Sequence, residues 1–262
     1  MRSRSNAVWL LLGVAALIAI IGAFLPPIPQ PLAYHNFADQ RSWLGIPNFG
    51  DVASNLPFAI FGVWGLAFVL RLPPGDPRFV DSAARWPYAG VFFGLLLTAV
   101  GSSYYHLAPD NARLVWDRLP MTVVFTSLVA AVIAERISVR LGRWLWPLLL
   151  LLGAGSVWQW RLSELRGHGD LRFYAAVQVY SALVLLLTLL LPAHYTRGED
   201  FLIVVGSYVL AKILETADKA VFSVGHVVSG HTLKHLAAAG AGYWILRMLT
   251  MRETTRQTFN PG

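Results

Sequence analysis

Eight stretches of this chain are apolar enough and long enough to cross a bilayer as helices, and nothing else in it constrains the fold as strongly. They run approximately over residues 7–25, 52–71, 88–106, 117–135, 143–160, 172–192, 200–217 and 231–250. Each is close to the roughly 20 residues that span hydrocarbon as an α-helix. A transmembrane β-barrel would need alternating strands of about ten residues, and the unbroken run Leu148 to Leu152 does not alternate. Only 13% of the residues are charged, against about 25% in soluble domains, so the chain cannot cover a water-facing surface. The expected fold is all-α: a polytopic membrane helical bundle with a seven-helix core and one extra N-terminal transmembrane helix.

The same segments divide the chain. Residues 1–26 hold the N-terminal helix, 27–51 a loop, 52–250 the core and 251–262 a tail. The first segment follows Met-Arg-Ser-Arg, as the apolar region of a signal peptide would. Its apolar run is longer than the usual 7–15 residues, and no small-x-small cleavage pattern lies close to Pro26-Pro27, so the helix is expected to be retained. With eight crossings both termini share a side. That side collects twelve basic residues, among them Arg2, Arg71, Arg136 and Arg256, against nine on the other. Basic residues favour the cytoplasm, so the termini are expected there. The loops at 26–51, 107–116 and 218–230 then face the opposite side. The net charge of +7 is dispersed, which makes it topology information rather than a nucleic-acid footprint. Arg outnumbers Lys 18 to 3, which hints at a GC-rich genome and a bacterial inner membrane.

Polar side chains cluster in Gly101 to Thr122, between two apolar segments, where they are costly and need a reason. Ser102 and His106 are four residues apart and share a helix face. Asp117 reads as an N-cap of the fourth segment, with Pro120 in the first turn. His106 by itself reads as a hydrogen-bonded interfacial histidine. The last segment opens with His231-x-x-x-His235, a spacing that puts two imidazoles on one face, one turn apart, able to share a cation. His106 is expected at the same depth and on the same side. Three neutral imidazoles facing one another have no purpose without an ion, so a metal site is expected. The chain has no cysteine, so its ligands must be His and carboxylate.

Other polar groups have two readings. Asp39, Asn48 and Asp51 are oxygen ligands of the kind calcium takes. Asp51 reads equally as a cap of the second segment and Asn48 as a turn former after Pro47, the readings favoured here. Asn55 is expected to bond a neighbouring helix. Lys212, Glu215 and Lys219 stand at helical pairing distance and read as structural charges. Tyr104, Tyr105 and Arg113 receive no role.

Ser102-x-x-x-His106, the Asp of Trp116-Asp-Arg-Leu-Pro-Met-Thr122, and His231-x-x-x-His235 occur in the order and helix-end placement of the alkaline ceramidase family, which the chain resembles over roughly 36–250. That family belongs to a broader group of seven-helix membrane hydrolases that includes adiponectin-receptor-like proteins. The resemblance implies zinc on His106, His231 and His235, with Ser102 and Asp117 completing the catalytic centre. It implies an amidohydrolase that takes a ceramide-like N-acyl lipid from the bilayer and releases fatty acid and amine. Members from eukaryotes carry an acid-rich calcium-binding stretch before the first core helix. Here that loop has fewer carboxylates, with Asn48 where an acid would stand. Two further readings of the three histidines remain: a receptor or transporter with a structural zinc, and a haem-binding membrane protein.

Overall fold

All eight expected segments contain helix; the sixth ends at Thr188, short of residue 192, the fifth runs on from Val139 to Leu165, and two begin differently from expectation. The computed structural model describes residues 2–192 and 194–255. The helices are α1 (Arg2–Phe24), α2 (Phe49–Ala53), α3 (Leu56–Arg71), α4 (Trp86–Leu107), α5 (Asn111–Arg136), α6 (Val139–Leu165), α7 (Arg172–Thr188), α8 (Asp200–Thr216), α9 (Asp218–Ser223) and α10 (Gly230–Met251). Two short 3-10 turns, Leu32–His35 and Ser82–Arg85, lie between them. Among the described residues there is no strand, only the isolated bridges Trp43–Ile46 and Tyr195–Thr254. The tail beyond Thr255, with Arg256, lies outside the described residues. Five spans are long and apolar enough to cross a membrane: Ser5–Phe24, Phe49–Arg71, Ser82–Leu107, Asn111–Arg136 and Val139–Leu165; α7 is apolar but shorter. The fold is an all-α helical bundle, compatible with a multi-pass membrane protein.

Helix α5 begins six residues before Asp117. Its N-cap is Asp110, whose carboxylate accepts from the Arg113 amide at 2.7 Å. Asp117 is therefore a buried residue inside the helix, not its cap. Residues 111–116, set outside the apolar segment because Asn111 and Arg113 interrupt it, continue the helix because their backbone can still hydrogen bond. The second segment is likewise broken, at Ser54-Asn55, into α2 and α3. Pro57 opens α3, where its missing amide proton costs nothing.

The bundle follows the chain. Helix α4 packs between α3 and α5, α6 packs on α5, and α7 contacts α5, α6 and α8. Helix α10 closes the arrangement against α8 and α3, and α1 rests on α7. Large apolar side chains such as Leu17, Trp144, Leu151 and Leu190 point outward, the pattern of a surface turned to hydrocarbon rather than water.

Two polar layers cap opposite ends. At one end Arg252 donates to the Arg78 carbonyl and to buried Glu135, and the Thr196 amide donates to the Glu253 carbonyl. At the other, Gln30 bonds Glu164, His35 bonds Asn111, Tyr34 bonds Glu215 and Arg41 bonds the His226 carbonyl. The loops before α2, between α4 and α5, and around α9 thus share one end, as the count of crossings requires.

Close approach of α4 and α5 depends on two residues. Pro120 has no amide proton for the carbonyl of Trp116, one turn back. Gly101 packs on that carbonyl: a Cβ at Gly101 would lie 1.9 Å from the Trp116 oxygen. A Gly101→Ala substitution is expected to lower stability by about 1–3 kcal/mol, the usual cost of overpacking. Gly155→Ala, where a Cβ meets nothing within 4 Å, is expected to be neutral or slightly stabilising. Melting of the two variants in detergent, followed by tryptophan fluorescence, checks the contrast.

Candidate metal centre

The contact of Gly101 with α5 sets Ser102 beside Asp117, and Ser102 in turn stands one helical turn before His106. Helix α10 brings the other two imidazoles. Its N-cap Ser229 accepts from the Thr232 amide at 3.0 Å, and Gly230 lets the helix start against the α8–α9 corner, where a Cβ would lie 2.3 Å from the Leu214 carbonyl. His231 and His235 then point the same way, as the i, i+4 spacing requires.

The three rings form a nearly equilateral triangle. Centroids are 4.8 Å apart for His106 and His231, 5.0 Å for His106 and His235, and 4.9 Å for His231 and His235. One ligand nitrogen from each lies within 4.8 Å of the others, and all three side chains are buried. Both ring nitrogens of His106 and Nε2 of His231 have no hydrogen-bond partner. Leaving a buried polar atom unmade costs about 1–3 kcal/mol. A cation would remove that cost by taking the lone pairs, so the donor set fits a metal ion. The buried histidine triad could hold a metal ion.

Surrounding groups hold the ligands. His235 Nδ1 shares a hydrogen bond of 2.8 Å with Ser54 Oγ, which leaves Nε2 for the metal. Asn48 donates from its amide to the His106 carbonyl at 2.9 Å, and Asp218 accepts from the His231 amide at 2.8 Å. Phe37, from the loop before α2, covers the triad, with its ring centroid 4.7 Å from His106 and 4.4 Å from His231. Asp218 also anchors that loop by accepting from the Ala38 amide at 2.8 Å. Of these, Phe37 and Asp218 carry no local signal of their role.

Ser102 and Asp117 are both buried and line one cavity together with His235. The Ser102 hydroxyl lies beside the Asp117 carboxylate without a formed hydrogen bond. The cavity runs between α3, α4, α5, α8 and α10. Its wall spans Lys234 to Ile245 on α10 and Asp117 to Leu128 on α5, each about 16 Å of helical rise. Ser102, Asp117, Glu215, Lys234 and His235 stand at one end; Leu95, Leu128, Val204 and Ile245 line the rest.

Of the three residues read as calcium ligands or helix-end formers, Asp39 and Asp51 are engaged otherwise. Asp39 gives both oxygens to Arg41, at 2.7 Å each. That guanidinium holds the Asp39 carboxyl below the usual carboxylate range and also donates to the carbonyls of His226 and Val227. Asn48 adopts the left-handed conformation (φ 46°) as N-cap of α2, the turn-forming role expected of it, although its side chain goes to His106. Asp51 is not a cap: it accepts from Thr232 Oγ1 at 2.8 Å and Ser229 Oγ at 3.3 Å, joining α2 to the start of α10. Among the described residues the histidine triad is the one group of His or acidic side chains with metal-ligand spacing. Asn55 bonds the Asp51 carbonyl one turn back instead of a neighbouring helix. Lys212 pairs with Glu215 as expected, but the second cation on Glu215 is Lys234, not Lys219. Tyr105 hydrogen bonds His35 at 2.8 Å, whereas Tyr104 and Arg113 stack on each other at the surface.

The fold and site together define an all-α bundle with a buried three-histidine centre at the end of an apolar cavity. No family model, curated protein or solved structure matches the chain.

The purified chain is expected to hold about one transition-metal ion, and His106→Ala or His235→Ala to hold far less, by elemental mass spectrometry. Chelation should lower the melting temperature of wild type, since an ion bound only to the folded state stabilises it. Arg41 supplies a separate test. The Asp39 carboxyl is lowered in the folded state, so the clamp contributes above the ordinary carboxylate pKa of about 3.9 and is lost as pH falls through the lower folded value. Hydrogen exchange over the loop before α2, corrected for intrinsic rates, should be unchanged from pH 8 to pH 5, and Arg41→Ala should raise it throughout that range.

Proposed function

We propose that this chain is an integral-membrane, zinc-dependent amidohydrolase that cleaves the amide of an N-acyl lipid to fatty acid and amine. One observation carries the reading. The histidine triad, through His235, meets a buried carboxylate and a buried hydroxyl at the polar end of a cavity whose other walls are apolar over a length suited to an acyl chain. Zinc held by His106, His231 and His235 would supply a Lewis acid and lower the pKa of water from about 16 toward 7.

The chain's own groups do the rest. Asp117 orients the attacking water and takes its proton, then returns that proton to the nitrogen as the C–N bond breaks. Ser102 donates from Oγ to the carbonyl oxygen as it gains charge. Phe37 and its loop close the triad on the outer side, so the acyl chain enters from the bilayer. By the basic-residue bias the termini are cytoplasmic and the centre faces the non-cytoplasmic side, in a bacterial inner membrane.

Asp117→Ala is expected to keep its zinc while hydrolysis of N-acyl lipids falls by about 10²–10⁴-fold, the usual range for loss of a general base. Zinc retention with unchanged hydrolysis would remove Asp117 from the chemistry. A receptor or transporter with structural zinc predicts no hydrolysis by pure metal-loaded wild type, and a haem protein predicts a coloured preparation. Lipidomics of membranes incubated with wild type or His231→Ala identifies which amides disappear.

A further inference from the structure

The polar end of the cavity holds a charge that the hydrolytic chemistry does not use. Glu215 on α8 already has the Lys212 ammonium on Oε2 at 2.7 Å and the Tyr34 hydroxyl on Oε1 at 3.0 Å. Lys234 on α10 brings a second ammonium to Oε1 at 2.6 Å. One carboxylate thus serves two ammonium groups. The Lys212 side chain is 47% exposed and can be solvated, but that of Lys234 is only 15% exposed. An ammonium has three N–H donors, and Lys234 makes one side-chain hydrogen bond among the described residues. It stands in the wall shared by Asp117, Ser102 and His235.

Lys212 and Glu215 pair within α8, so Lys234 is the ion pair that ties α8 to α10, yet as a tie a buried ion pair is often no better than apolar packing. An ionisable group kept at such depth points to a ligand. The N–H donors of Lys234 beyond the one on Glu215 call for an acceptor, best an anionic one. With the acyl chain along the apolar wall toward Ile245, the amine half of the substrate lies at the polar end, beside Lys234.

We propose that Lys234 selects the substrate headgroup: the amine half of the amide carries an anionic group, a carboxylate as in an N-acyl amino acid or a phosphate, and Lys234 binds it. This rests on the hydrolase reading above. Neutral ceramide-like amides would then be poor substrates, because nothing on them matches the ammonium.

The test uses the full chain, metal-loaded in detergent, with four compounds of one acyl length: N-palmitoylglycine, N-palmitoylethanolamine phosphate, N-palmitoylethanolamine and an N-palmitoyl ceramide. At least one acidic compound should be preferred over both neutral ones by about tenfold or more in kcat/KM, as charge-assisted bonds give. The carboxylate and phosphate arms tell the two sources apart. Lys234→Met should collapse the preference by raising KM for the acidic compound, and Lys234→Arg should retain part of it. Wild type cleaving a neutral amide as well as the acidic ones overturns the proposal, whether or not the Met variant folds. If wild type cleaves none of the four, the hydrolase reading fails. Binding of the same four compounds, by quenching of tryptophan fluorescence, then decides on Lys234. Tighter binding of an acidic compound, lost in Lys234→Met or weakened at high salt, supports the site, and equal binding of all four overturns it.

Discussion

Three imidazoles packed into one triangle, with no carboxylate among them and ring nitrogens left without partners, carry a desolvation cost that a cation shared by their lone pairs would remove. Much of the architecture at that end of the bundle serves to hold them there. Gly230 allows α10 to begin hard against the α8–α9 corner, which sets the height of His231 and His235. Gly101 allows α4 to meet α5 at the carbonyl that Pro120 leaves without a donor, which brings His106, Ser102 and Asp117 to the same height. The outer contacts, Ser54 on His235, Asn48 on the His106 carbonyl and Asp218 on the His231 amide, come from the two ends of α2 and the start of α9. Misplacing any one element moves a ligand.

The loop before α2 depends on the same geometry. Its backbone would have little reason to order over a water-filled opening, yet it is pinned at Gln30, Tyr34, His35, Ala38 and Arg41 by groups on α5, α6, α8, α9 and the loops beside them. The Arg41 guanidinium is central to this: it joins Asp39 to two carbonyls across 185 and 186 residues of chain. An acid-rich loop uses a hard cation to gather its oxygens. Here a side-chain cation gathers them, which is why a loop with fewer carboxylates still closes over the centre.

The helices were legible because a run of about 20 apolar residues has one stable fate in a bilayer. The triad was legible because helical spacing fixes which residues share a face, and His231 and His235 need no tertiary information to converge. What failed was choice among local alternatives of equal merit. Asp110 and Asp117 are both plausible caps seven residues apart, and only the continuation of backbone bonds through 111–116 separates them. Asp51 reads as a cap until Thr232 and Ser229, about 180 residues away, take its oxygen. By sequence alone Lys234 is one of the nine basic residues on the side opposite the termini. Its lysine-to-glutamate pairing across helices has no sequence signature, although a lysine between two histidines in an otherwise uncharged helix start is itself a signal of function.

Charge at the cavity end also constrains how such a centre operates. In hydrocarbon, fields from fixed charges are weakly screened, so each ammonium or carboxylate near the histidines acts on whatever reacts there. Lys212, Glu215 and Lys234 form a separate group that leaves Asp117 outside the ion pair. On the hydrolase reading, this division lets the acid–base group remain available while the surplus ammonium faces the ligand. The residues that position the amide and those that move its proton are thus distinct, although they share one cavity wall.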